Sequence, residues 1–154
     1  MKLYFLRHGK ADWPDWNRPD DERPLDKEGR REMERIARFL AGLKLKPTFL
    51  LTSPLPRALQ TAEIAGEALD LEVREERGLA PGFNVTKLRA LLKRVGDRDV
   101  MIVGHEPDFT KVIGALTGAD AKLGKGGIAR VDLEDAHGTA GQLIWLIPPR
   151  ILRR

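Results

Sequence analysis

Lys2-Leu3-Tyr4-Phe5-Leu6-Arg7-His8-Gly9 sets four apolar residues in a row directly against a cation, an imidazole and a glycine. Leu3 to Leu6 has the length and composition of one strand buried on both faces, as in the parallel sheets of α/β folds. In such sheets ligands bind just beyond the carboxyl ends of the strands. Arg7 and His8 are therefore read as facing a crevice to which later parts of the chain bring further groups.

Working outward, the strand spans residues 2–7 and is followed by a loop, residues 9–25, rich in proline and aspartate and carrying Trp13 and Trp16. Asp26 is a natural N-cap, and Met33, Ile36, Ala37 and Leu40 then recur at helical spacing until Gly42 and Pro47. Thr48–Thr52 reads as a second buried strand. Ser53-Pro54 opens a second helix with Ala58, Ala62, Ala65 and Leu69 on one face. Leu71–Arg74 is a short strand, residues 78–84 a turn region, and Val85–Val95 a third helix. Asp99–Val103 is a further strand, and Pro107 suits the first turn of a fourth helix. Ile128–Leu133 and Gln142–Ile147 form a hairpin around a turn at 135–138, and residues 150–154 read as a loose basic tail. Strands alternate with helices over most of the chain. That pattern predicts a three-layer α/β/α sandwich, its sheet mostly parallel with antiparallel pairing from the C-terminal hairpin at or near one edge. No repeat or linker interrupts the chain, so residues 1–154 are read as one domain.

Composition bounds the function. The 154 residues suffice for one core, 42% are hydrophobic and 32% charged, and the formal net charge is +4. A mildly basic chain suits an anionic ligand. Lysine and arginine form no long run and 23 acidic residues are interspersed, so nucleic acid is not the expected partner. Cysteine is absent, which excludes disulfides and thiolate metal sites. No apolar run approaches the roughly 18 residues of a membrane span, and the charged start does not resemble a secretory signal. A cytoplasmic protein without membrane contact is expected.

Three strand ends carry the chemistry. They read Arg7-His8-Gly9, then Thr52-Ser53-Pro54-Leu55-Pro56-Arg57, then Val103-Gly104-His105-Glu106-Pro107. In a parallel sheet these ends share one rim, so two imidazoles and two guanidiniums converge beside two helix N-termini. Guanidiniums bind phosphoryl oxygens and stabilise their charge in the transition state. Neutral imidazole attacks phosphorus and forms a covalent intermediate that water opens. Two histidines allow one to attack while the other donates a hydrogen bond. Taken singly, each residue has a structural reading as a solvated or ion-paired strand end. A zinc site on His8, His105 and His137 is a further reading, weakened by the lack of close-spaced ligand pairs.

These three motifs together resemble the histidine phosphatase superfamily, with its phosphoglycerate-mutase-like fold. The short chain, Arg23-Pro24-Leu25 before the first helix and Gly127-Ile128-Ala129 near the end are similar to the SixA branch of small phosphohistidine phosphatases. The resemblance implies that His8 is the phosphorylated nucleophile, that Arg7, Arg57 and His105 complete the phosphate pocket, and that no metal or organic cofactor is needed. Gly9, Arg23 and Ser53 are placed as substrate-binding residues and Glu106 as a catalytic proton donor. Glu106 also has a plainer reading, as a cap on the helix after Pro107. Asp12 is a weaker acid candidate.

One departure bears on the substrate. Mutase-type members carry a glutamate acid after the third strand, followed by an insertion. Here that stretch is Gly78-Leu79-Ala80-Pro81-Gly82-Phe83-Asn84, with no carboxylate and no insertion. An alkoxide leaving group needs a proton in the transition state, whereas imidazole leaves readily. A P–N or other activated substrate is therefore favoured over a sugar phosphate, and the open crevice admits a protein surface. The expected partners are a phosphorylated protein or a small phosphorylated substrate. The alternatives are a phosphomonoesterase or a nucleotide or diphosphate phosphatase, and beyond these a non-catalytic phosphate-binding module.

Overall fold

The computed structural model describes residues 1–152. Its centre is the stretch that opens the chain. Strand β1 (Lys2–Arg7) lies inside a six-stranded sheet. The other strands are β2 (Phe49–Thr52), β3 (Val73–Glu75), β4 (Val100–Gly104), β5 (Ile128–Leu133) and β6 (Gly141–Ile147), in spatial order β3-β2-β4-β1-β5-β6. The pairs β2–β3, β2–β4 and β1–β4 are parallel, and β1–β5 and β5–β6 are antiparallel. The hairpin thus forms one edge, as its sequence pattern implies.

Helices α1 (Lys27–Gly42), α2 (Pro56–Leu69), α3 (Val85–Val95) and α4 (Asp108–Thr117) complete the α/β/α layers. Alternation along β1 divides the core, because successive strand side chains point to opposite faces. Leu3 and Phe5 join Leu88, Leu91 and Leu92 of α3 and Phe109, Val112 and Ile113 of α4. Tyr4 and Leu6 join Met33, Ile36 and Leu40 of α1 and Ala58, Ala62 and Ala65 of α2. Phe5 and Phe109 meet edge to face at 5.1 Å. This burial on both faces explains why β1 reads as a continuous apolar run.

The observed boundaries differ from the sequence reading where local hydrogen bonds decide. Helix α2 starts at Pro56 rather than at Ser53-Pro54, because Ser53 N–H still donates to the Val103 carbonyl in the sheet ladder. Strand β3 starts at Val73 rather than Leu71, whose N–H closes the end of α2 on the Gly66 carbonyl. Pro107 caps α4 from outside its first turn. The stretch read as a loose tail begins instead with a 3-10 turn, Pro149–Leu152, in which Pro149 is buried and Leu152 packs on the Tyr4 side of the core. Arg153 and Arg154 lie outside the described residues.

Asp26 caps α1 as predicted, one carboxylate oxygen accepting from Gly29 N–H at 2.7 Å. Its other oxygen accepts from Asp12 N–H, and its own N–H donates to the Lys10 carbonyl. One residue therefore starts the helix and ties down the segment that follows His8. The contact leaves no room at Gly29, where a Cβ would stand 2.1 Å from the Lys10 carbonyl oxygen. Gly29→Ala should cost about 1–3 kcal/mol, the usual range for overpacking. Gly42→Ala, on the same helix with nothing within 4 Å of the added Cβ, should be neutral or stabilising. Urea unfolding of the two variants checks this, and equal stabilities would contradict it.

Candidate functional site

The pairing of β1 with β4 brings the site together. Arg7 is in register with Gly104, so His8 and His105 leave the sheet side by side. His8 N–H donates to the Gly104 carbonyl at 3.1 Å, and the two rings lie 5.2 Å apart between centroids with planes inclined by 55°. Thr52 of β2 is in register with Val103, which places Ser53 beside His105 and Arg57 one step further on, in the first turn of α2. Between them lies a cavity of about 360 Å³ walled by Arg7, His8, Arg23, Arg57, His105 and Glu106, among others.

His8 Nδ1 is 2.7 Å from the carbonyl oxygen of Gly9. A carbonyl only accepts, so Nδ1 carries the ring proton and Nε2 keeps its lone pair. Burial pushes His8 down to about 4, with Arg57, Arg7 and Lys125 adding to the shift and the Gly9 hydrogen bond opposing it. His105 is pushed down to about 3, again mainly by burial, with His8 and the two arginines contributing. Both rings are neutral at pH 7. His105 Nε2 lies 2.8 Å from Ser53 Oγ, and Leu55 N–H donates to the same oxygen. The Ser53 hydroxyl proton is thus free to turn to Nε2, and the ring proton of His105 then sits on Nδ1.

Arg7 anchors one guanidinium nitrogen on the Leu123 carbonyl at 2.9 Å, and Arg57 anchors one on the Asp20 carbonyl at 3.1 Å. Burial lowers both arginines, and Glu106 opposes the shift at Arg7. Three buried side-chain nitrogens find no hydrogen-bond partner among the described residues: Arg7 Nε, Arg57 Nε and His105 Nδ1. All three belong to residues of this cavity, and buried polar atoms are normally satisfied. A tetrahedral oxyanion supplies acceptors of the kind such a group of donors needs.

The remaining predicted residues divide. Arg23 does line the cavity, held by Asp20 Oδ1 at 2.8 Å and by the Ala11 carbonyl. Gly9 does not line it. Its N–H is bonded to Thr61 Oγ1, and a Cβ there would stand 2.7 Å from Met33 Cγ, so the glycine serves close packing. Ser53 is fully buried behind His105 and orients that ring rather than facing the cavity. Glu106 reaches the cavity wall, but Oε1 accepts from Thr110 N–H and Oε2 from Thr110 Oγ1 and Leu123 N–H. Its carboxylate fastens the start of α4 and the Leu123 backbone that holds Arg7, which is the capping reading extended. Asp12 is paired with Lys125 at 2.9 Å. The Trp13 and Trp16 rings lie 6.1 Å apart between centroids with planes inclined by 42° and donate to the Pro24 and Pro19 carbonyls, so they staple their own loop. His137 stands at the turn end of the β5–β6 hairpin, whereas β5 begins beside Leu6, so the three histidines do not meet.

Sequence reasoning missed Asp20, Asp21, Pro81 and Lys125, which also line the cavity. Asp20 signals itself only by standing three residues before Arg23. Lys125 arrives because β5 runs antiparallel, so the glycine-rich segment before it starts at the same rim where the parallel strands end; Gly126 N–H donates to the Arg7 and His8 carbonyls there.

A strand-centred α/β/α fold whose parallel ends gather two histidines and two arginines defines a class of phosphoryl-handling proteins. The sequence profile of the histidine phosphatase superfamily (branch 1) matches residues 3–81. An uncharacterised protein of Picosynechococcus sp. is 39% identical, with 99% of both chains covered. The phosphohistidine phosphatase SixA of Escherichia coli K12 is 29% identical over 97% of this chain and 94% of its own. A structure of the protein histidine phosphatase SixA complexed with tungstate superposes with a TM-score of 0.88 at 29% identity, covering 99% of this chain and all of that one. The chain belongs to the histidine phosphatase superfamily.

The depressed histidines have a consequence for stability. An unfolded histidine titrates near 6.5, while His8 and His105 do so at about 4 and about 3 in the fold. Between those values the unfolded chain binds more protons, so this stability is fully present above roughly pH 7 and is lost as pH falls from about 6.5 to about 4 for His8 and to about 3 for His105. Thermal unfolding across this window should show a shallower pH dependence for His8→Asn/His105→Asn than for the parent chain. Parallel curves would contradict the burial of neutral rings.

Proposed function

We propose that this protein is a phosphatase working through a phosphohistidine on His8, with protein phosphohistidine as its substrate. The observation that carries the reading is the orientation of His8, its Nδ1 proton committed to the Gly9 carbonyl and its Nε2 lone pair held beside Arg7, Arg57 and His105. In the first step Nε2 bonds to phosphorus while the phosphorus–nitrogen bond of the substrate breaks. The substrate reacts with its other ring nitrogen protonated, so the departing imidazole keeps that proton and leaves neutral, and the positive charge passes to the His8 ring, which holds its own proton on Nδ1. In the second step water attacks phosphorus, the bond to Nε2 breaks, and inorganic phosphate leaves. Arg7, Arg57 and the Nδ1 proton of His105 hold the equatorial oxygens through both steps. No residue is assigned to bind a metal or organic cofactor.

The choice of a P–N substrate is supported by the state of the acids around the cavity. Of the four carboxylates lining the cavity three are committed: Asp12 is paired with Lys125, Asp20 lies on Arg23 and near Arg57, and Glu106 accepts three hydrogen bonds from the scaffold, while Asp21 is exposed and has no such partner among the described residues. Carboxylates held in this way serve poorly as proton donors to an alkoxide. Likeness to SixA over nearly the whole chain supports the same substrate class. Small phosphomonoesters are the second reading, favoured by Glu106 and Asp21 at the cavity wall.

The test is turnover of a phosphohistidine-bearing protein, p-nitrophenyl phosphate and a sugar phosphate after EDTA treatment. His8→Ala should lose at least about a thousandfold in kcat, as expected for removal of a nucleophile, and should form no alkali-stable phosphoenzyme. Full activity in His8→Ala would overturn the mechanism. Glu106→Gln should lower thermal stability and leave kcat on phosphohistidine within about threefold of the parent, since the residue does not touch the leaving group on this reading. A selective collapse of ester cleavage in that variant would instead make Glu106 the acid for a phosphomonoesterase.

A further inference from the structure

A second concavity, of about 420 Å³, opens beside the candidate site and is lined by Lys122, Gly124, Lys125, Leu146, Pro148, Pro149 and Arg150. Lys125 lines both this groove and the cavity containing His8, so the two share a wall. The groove presents three cations and no carboxylate, over a floor of leucine and proline. Lys122 and Arg150 are exposed and make no ion pair among the described residues, whereas Lys125 is paired with Asp12. The cavity beyond the shared wall holds Asp12, Asp20, Asp21 and Glu106 against its own cations. The uncompensated positive charge therefore lies outside the reaction chamber, along a path leading away from it.

Resting on the phosphohistidine reading above, we propose that this groove binds an acidic segment of the phosphorylated protein, reading carboxylates that flank the phosphohistidine. The occupant is a polypeptide rather than the tail of a small molecule for two reasons. The groove is as large as the reaction chamber itself, so the two together exceed what one small phosphorylated substrate fills. Its lining also pairs cations with apolar surface, which suits a segment carrying both acidic and apolar side chains. The construction follows from the fold. The antiparallel β5 brings the 122–127 segment to the rim, and the 3-10 turn that follows β6 and packs against α1 supplies Pro149 and Arg150. Lys125 is the hinge of the arrangement, since an incoming carboxylate competes with Asp12 for its ammonium group.

The test compares two phosphohistidine peptides of equal length, one with aspartates and glutamates flanking the phosphohistidine on both sides and one with serines and glutamines there. The parent chain should show a kcat/KM about tenfold higher for the acidic peptide, the size expected from two or three solvent-accessible charge contacts. That preference should shrink towards unity as salt is raised to about 0.5 M, where such contacts are screened. Lys122→Glu/Arg150→Glu should abolish or reverse the preference, read as a ratio of the two peptides within one protein. Equal kcat/KM for both peptides in the parent chain, or an unchanged preference in the charge-reversed protein, would overturn the groove proposal while leaving the phosphatase reading intact. Turnover of neither peptide by the parent chain would overturn both. A preference gained only by small diphosphates, and lost in the same variant, would assign the groove to a second phosphate and overturn the peptide proposal.

Discussion

Parallel pairing of β1 with β4, in a register that sets Arg7 opposite Gly104, is the constraint on which the site rests. A slip of one residue would turn every side chain of β1 to the other face of the sheet. Leu3 and Phe5 would then meet α1 and α2, and His8 would no longer leave the rim beside His105. The register is therefore held by the whole apolar content of the strand, and chemistry and core share one alignment. Gly104 adds a local lock. A Cβ there would stand 2.8 Å from Phe109 Cζ, so the last residue of β4 must be this small for α4 to close over the strand.

The same alignment explains how so many basic groups coexist in a confined space. The two histidines shed their charge on burial, and the guanidiniums retain it. Each guanidinium is anchored by a backbone carbonyl and has a carboxylate within reach, Glu106 for Arg7 and Asp20 for Arg57. The positive field is thus preorganised and partly compensated. Catalytic sites gain from fixed dipoles and charges of this kind because no reorganisation is needed when charge develops on the substrate.

Much of this was legible in the sequence. The strand ends, the order of elements and the antiparallel edge followed from apolar runs, caps and turn residues, and the four central site residues from three short motifs. Side-chain commitments were not legible. Gly9 and Ser53 sit inside motifs, yet their polar groups are turned to Thr61 and His105, contacts made across long sequence separations. Glu106 follows a site histidine, yet its oxygens are claimed by α4 and by Leu123. Lys125 and Asp20 were missed for the opposite reason. Nothing in its own neighbourhood marks Lys125, and only the three-residue spacing to Arg23 marks Asp20; the direction of β5 and the fold of the 9–25 loop bring them to the cavity.

Between β3 and α3 the chain spends residues 76–84 on a single 3-10 turn and a short link, and Pro81 is the residue of that stretch that reaches the cavity. On the proposed chemistry this decides the fate of the phosphoryl group. An enzyme that returns phosphate to a second position of its first acceptor must keep that acceptor enclosed while the intermediate persists. Here, among the described residues, the 76–84 stretch is too short to fold over the chamber and detain it, and on that reading the first product departs and solvent is the next molecule to arrive. On the proposed chemistry, the brevity of one loop favours hydrolysis over transfer, by the order in which molecules leave and enter rather than by any group that touches phosphorus.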